Sequence, residues 1–155
     1  MQSNNPAPFA CYLKLDGIEI ASASPELFLE TYEFLNGLDI SYLHVFPYSE
    51  RPNTYAVDIK PNVDGMQKAE RSKMLHILSD KKRHAFYESQ AGLKGQVLFE
   101  ESATPGTMEG FSENYVRFKS AYDPLLINTI QSVRYKSIAE NGEVTGDVLF
   151  SNAFV

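Results

Sequence analysis

Ile40-Ser-Tyr-Leu-His-Val-Phe-Pro-Tyr-Ser-Glu-Arg-Pro-Asn-Thr54 is a mostly apolar run that stops in a polar loop broken by proline. A strand ending this way delivers side chains to whatever lies beyond its C-terminal end, the place where barrel strands build sites. Alternation puts Tyr42, His44, Phe46 and Tyr48 on one face and Leu43, Val45 and Pro47 on the other. The strand is expected from Ile40 to about Tyr48, with Arg51-Pro52 opening the loop.

Upstream, Ser24-Pro25-Glu26 combines a capping hydroxyl, a first-turn proline and an early carboxylate, a good helix start. Leu27, Phe28, Thr31, Phe34 and Leu35 then follow at helical spacing, which predicts an amphipathic helix over Pro25 to Leu35. Asn36-Gly37 should end it, with glycine in the left-handed conformation. Before it, Leu13 to Ala21 alternates on both sides of Asp16-Gly17, fitting two short strands around a turn or one bulged strand. A helix feeding a strand through a short connection is the second half of a βαβ unit.

Downstream, Lys60 to Gly65 reads as a loop, and Met66 to about Ser89 has neither proline nor glycine. Leu75, Leu78, Ala85 and Phe86 mark its apolar side. A helix of this length spans roughly 36 Å, enough to connect two units. After Gly92 the texture changes. Gly95 to Glu101, Met108 to Ser120, Thr129 to Ile138 and Glu143 to Phe150 read as strand segments, with turns at Thr104-Pro105-Gly106 and Asn141-Gly142. Such a series with no helix suggests a small antiparallel barrel.

The 155 residues are 43% hydrophobic, the composition of a packed globular chain. No apolar run approaches the roughly 20 residues of a membrane helix. Met-Gln-Ser-Asn-Asn-Pro-Ala-Pro at the start lacks the basic and apolar regions of a secretory signal, so a cytoplasmic protein is expected. A single cysteine, Cys11, excludes an internal disulfide and zinc-finger spacing.

Net charge is −6, which argues against indiscriminate binding of nucleic acid. The charge is uneven, however. Residues 1–65 carry 3 basic and 9 acidic side chains, residues 66–89 carry 6 and 3, and residues 90–155 carry 5 and 8. The long helix is therefore the one basic segment, with Lys81, Lys82 and Arg83 as candidate phosphate contacts.

His44, His76 and His84 lack metal or triad spacing, and Glu26, Glu30 and Glu33 read as a solvated helix flank. Binding residues are easier to nominate. Tyr115, Arg117 and Lys119 alternate with Val116 and Phe118, and Arg134 and Lys136 repeat the spacing on the next strand. Cations engage phosphates and an aromatic stacks on an unpaired base. Phe111 and Asn114 could add a stacking surface and an amide.

Residues 24–155 resemble the C-terminal part of the radical-SAM tRNA methylthiotransferases, in the branch that modifies threonylcarbamoyladenosine beside the anticodon. Pro25 to Leu35 resembles the helix after that family's fifth barrel strand. Tyr42-Leu-His-Val-Phe-Pro-Tyr-Ser49 with Arg51-Pro52 resembles its sixth strand and loop, although Asn53 stands where glycine is usual. Glu70-Arg71 and Phe86-Tyr87 resemble its connecting helix, and Gly110-Phe-Ser-Glu-Asn-Tyr-Val116 resembles the signature of its RNA-holding TRAM barrel.

The resemblance implies a partial radical-SAM barrel over residues 1–65 (with 1–23 unmatched), a connecting helix over 66–89 and a TRAM-like, OB-like barrel over 90–155. It implies tRNA as partner, with Arg51 on the substrate side and Phe46, Tyr48 and Ser49 near S-adenosylmethionine. The intact family uses that cosubstrate and [4Fe–4S] clusters to place a methylthio group at C2 of the adenosine. This chain departs from the pattern in its cysteines. The C-x3-C-x2-C motif is absent, and Ala21-Ser-Ala-Ser24 replaces a glycine-rich segment. Clusters are held by several thiolates, so no cofactor is expected on this chain alone. Three roles remain open: the tRNA-binding portion of a methylthiotransferase, a free-standing RNA-binding module, or a domain that pairs with another chain through open strand edges.

Overall fold

The computed structural model describes residues 12–15, 24–46, 63–139 and 142–149. The chain divides into two compact units between Arg83 and His84.

In the first unit, strand β1 (Tyr12–Leu15) pairs in parallel with β2 (Tyr42–Val45), Tyr12 opposite Tyr42 and Leu15 opposite Val45. Helix α1 (Pro25–Gly37) lies between them in the chain, completing the βαβ unit. Ser24 caps α1 as expected, its hydroxyl accepting the Leu27 N–H at 3.3 Å. Glu26 sits in the first turn, where a hydrogen bond from the backbone and a second from Ser24 hold its carboxyl below the usual range.

The helix end differs from expectation. Gly37 is the last helical residue and Leu38 follows in extended conformation, so no left-handed glycine closes it. The Lys82 ammonium does that work, donating to the carbonyls of Asn36 (3.0 Å) and Leu38 (2.7 Å). A cation on the orphan carbonyls satisfies them and opposes the helix dipole.

Phe28, Leu35, Leu43, Val45, Leu75 and Leu78 form this unit's core. Ser79 bridges into it, exchanging hydrogen bonds of 2.9 Å with the N–H and C=O of Leu43.

Helix α2 (Gly65–Gln90) is capped by Asp64, whose carboxylate accepts the Gln67 N–H at 2.8 Å. Just past its end, Gly92 takes φ 83° and donates to the Tyr135 carbonyl at 2.9 Å.

The second unit is a closed barrel of β3 (Lys94–Glu101), β4 (Thr107–Ser112), β5 (Arg117–Ala121), β6 (Ile130–Ile138) and β7 (Val144–Leu149), in the order β3-β4-β5-β7-β6. The segment Met108 to Ser120 makes two strands rather than one, folded back by a tight turn at Tyr115, φ 62°. The barrel is also mixed rather than wholly antiparallel, because β7 inserts beside β5 in parallel, Phe118 opposite Val144.

Inward residues alternate along β3, β4 and the middle of β6, and Val97, Phe99, Met108, Val116, Phe118, Val133, Tyr135 and Val144 fill the interior. Each such burial stabilises by about 1.5–3 kcal/mol. Gly110 is opposite both Phe99 and Phe118, whose rings meet edge to face at 5.9 Å. A β-carbon at Gly110 would overlap the Leu98 carbonyl, so only glycine fits.

Candidate nucleic-acid interface

The turn after β4 is tied to the end of α2 by a buried polar chain. Ser112 donates from its hydroxyl to the Asn114 side-chain oxygen at 2.6 Å, and the Asn114 amide donates to Gln90 at 2.9 Å. The Val116 N–H donates to the same Ser112 hydroxyl at 3.0 Å. Asn114, expected to offer an amide at the surface, is thus buried with its amide group engaged. Its position in Gly110–Val116 has a local structural reason, since the network holds Tyr115 in the left-handed turn and 58% exposed.

The expected cations are placed differently from one another. Arg117 binds Glu109 at 2.9 Å, Lys119 binds Glu143 at 3.1 Å in a partly buried pair, and Lys136 binds Asp147 at 2.7 Å. Strand β7 separates β5 from β6, so Arg117 and Lys119 do not adjoin Arg134 and Lys136 as consecutive strands would. Arg134 is exposed and directly opposite Lys94 on β3, and neither makes an ion pair among the described residues. Like charges set opposite on neighbouring strands are destabilising unless something anionic covers them.

Lys94 had no sequence signal beyond its charge; only the β3–β6 register reveals it. Beside Lys136, a cavity of about 280 Å³ opens between the last turns of α2 and a bulge in β6, lined by Tyr87, His84, Glu88 and Ser137 among others.

On α2, Lys82 is occupied at the end of α1, and Arg83 pairs with Asp80 at 2.9 Å. Lys81 is exposed. Arg71 is buried over the Phe28 ring at 5.0 Å, a cation–π contact. In the first unit Phe46 is 51% exposed and stacks near His44, ring centres 6.2 Å apart. It is not a core residue. Tyr48, Ser49 and Arg51 lie outside the described residues. Among the described residues no group of three His, Cys, Asp or Glu is placed to hold a metal ion, and no helix is long and apolar enough to cross a membrane.

No family model matches the chain. Curated relatives do, among them several tRNA methylthiotransferases. Each carries the name threonylcarbamoyladenosine tRNA methylthiotransferase MtaB. The protein of Aquifex aeolicus is 43% identical over 97 residues, 62% of this chain and 22% of that protein. That of Bacillus subtilis is 36% identical over 104 residues, 63% of this chain and 23% of its own length. That of Thermotoga maritima is 28% identical over 121 residues, 76% and 27% respectively. The chain is therefore MtaB-like, similar to the C-terminal part of such a protein, and its matches span about a quarter of the relatives' length.

Proposed function

We propose that this chain is the tRNA-contacting portion of a threonylcarbamoyladenosine tRNA methylthiotransferase, with Lys94, Arg134 and Lys136 as the centre of phosphate contact. The observation that carries this reading is the opposed, exposed pair Lys94–Arg134 on the barrel of a chain whose relatives are named tRNA methylthiotransferases. Among the described residues neither cation makes an ion pair, since Asp147, which faces Arg134 from β7, is taken by Lys136 at 2.7 Å, and one phosphate between Lys94 and Arg134 would relieve both. Tyr115, exposed on its turn, supplies a face for an unstacked base, and Arg117 stands next to it. Lys119 contributes at the margin of the barrel site; on the other unit Lys81 and Arg83 are exposed cations that we assign to separate phosphate contacts, and Lys82 is held back by its role on α1.

The closed five-stranded barrel supports the OB-like, TRAM-type reading, since small barrels of this kind hold oligonucleotides on an outer face. The first unit's parallel pair with its intervening helix fits a remnant of a radical-SAM barrel, where Phe46, Tyr48 and Ser49 would lie toward S-adenosylmethionine. An iron–sulfur cluster does not fit the residues present. Cys11 is the one thiol in the sequence, and a cubane needs at least three. No chemical step is therefore assigned to this chain.

A second reading has one observation in its favour. Among the described residues β1 and β2 pair only with each other, and a two-stranded parallel sheet offers open edges to another chain.

Binding of an unmodified tRNA anticodon stem-loop, followed by fluorescence anisotropy over a salt series, tests the RNA reading. Lys94→Ala with Arg134→Ala should weaken binding about tenfold and lower the salt slope by roughly 1 to 2. An unchanged slope in the double variant, or no binding by the parent chain at low salt, overturns it.

A further inference from the structure

On the outside of the barrel Ile130, Leu98 and Phe111 stand side by side on β6, β3 and β4, each opposite the next. They are exposed by 64%, 44% and 54%. Single exposed apolar residues are ordinary, but three large ones in one cross-strand row make a continuous strip. Two strand spacings make the strip about 10 Å long. An α-helix covers the same distance, roughly 10 Å, between residues i and i+7.

The strip's surround is acidic. Glu100 lies two residues beyond Leu98 on the same face and directly opposite Glu109. Arg117, at the β5 end of the row, neutralises Glu109, which leaves Glu100 with no ion pair among the described residues. Glu113 follows Phe111 on the other side, its carboxylate accepting the Gln96 N–H at 2.7 Å. A polyanion is repelled by such a rim and a cationic partner is attracted.

We propose that this strip docks a basic amphipathic helix of a protein partner, its apolar stripe on Ile130, Leu98 and Phe111 and its lysines or arginines toward Glu100 and Glu113. The inference does not rest on the RNA reading, whose centre, Lys94 and Arg134, lies at the opposite end of β3, although Arg117 borders the strip.

The test uses the full chain and two synthetic helical peptides, one of leucine and lysine and one of leucine and glutamate in the same pattern, each with one tryptophan. The chain has no tryptophan, so peptide fluorescence reports binding alone. The lysine peptide should bind at least about tenfold tighter than the glutamate peptide, and Leu98→Ser with Phe111→Ser should cost about tenfold or more. Ile130→Ser is the second variant should the double one not fold, and it should cost severalfold. Glu100→Gln should also weaken binding, whereas Lys94→Ala with Arg134→Ala should not. Equal affinity for both peptides, no binding of the lysine peptide, or indifference to the strip variants overturns the proposal. So does loss of stem-loop RNA binding in Leu98→Ser/Phe111→Ser equal to that in Lys94→Ala/Arg134→Ala, which would make RNA the strip's occupant.

Discussion

Strand β3 starts at Lys94 and ends at Glu100-Glu101, and the surface it crosses changes character along the way. At its start Lys94 faces Arg134, two cations with no carboxylate partner among the described residues. Toward its end Leu98 joins Ile130 and Phe111 in an apolar strip with a carboxylate rim. Both regions rest on the same alternation, inward Val97 and Phe99 leaving outward neighbours free to vary. The difference teaches that a barrel with an acidic excess can still present a local pair of facing cations. The sign of a surface is set by register, row by row, and not by net charge.

The largest expected effect concerns what the two regions share. Gly110→Ala forces a β-carbon against the Leu98 carbonyl and should cost about 3 kcal/mol or more, read as a lowered urea midpoint. Both binding activities should fall together. Loss of one alone would mean that the regions do not share a cooperative frame. Next, Asn114→Ala leaves Gln90 and Ser112 short of partners inside the barrel and should cost roughly 1–3 kcal/mol in chemical denaturation. In the variant that still folds, hydrogen exchange should rise first around 112–116, next to Phe111, and last at Lys94 and Arg134.

Smaller again, Lys82→Ala uncaps α1 and should cost about 0.5–1 kcal/mol. Its RNA affinity should stay within twofold of the parent; a larger loss would extend the cationic region onto α2.

The smallest effect lies behind the cationic row. Among the described residues the buried Tyr135 hydroxyl has no hydrogen-bond partner, and burial pushes its phenol above the ordinary value. The neutral form is thus the one the fold favours. Its contribution is complete below the unfolded value of about 10 and is lost as pH rises through the folded one. Tyr135→Phe should therefore be neutral or stabilising by up to about 1 kcal/mol, and should melt less steeply with pH above roughly 10 than the parent. Identical alkaline profiles would contradict the assignment.

Much of this was legible in the residues. Ser24-Pro25-Glu26 announced α1, and the periodicity of residues 66–89 and the turn at Gly106 placed α2 and the β3–β4 hairpin. The methylthiotransferase resemblance was legible as well. What escaped depends on partners distant in sequence. Nothing near Gly37 shows that Lys82 will close the helix. Charge alone cannot separate Arg117, held by Glu109, from Arg134, which faces Lys94. Phe111 fits a core or a surface equally well by alternation, and Asn114 reads as a surface amide until Gln90 is brought to it. The parallel insertion of β7 between β5 and β6 has no local signal at all.

The most direct measurement is an NMR titration of the isotopically labelled 155-residue chain with a single-stranded RNA of the anticodon loop. Amide shifts should cluster at Lys94, Arg134 and Lys136, with Tyr115 following and Leu98, Phe111 and Ile130 unmoved. Shifts centred on Leu98, Phe111 and Ile130 instead would contradict the division of the barrel surface described here.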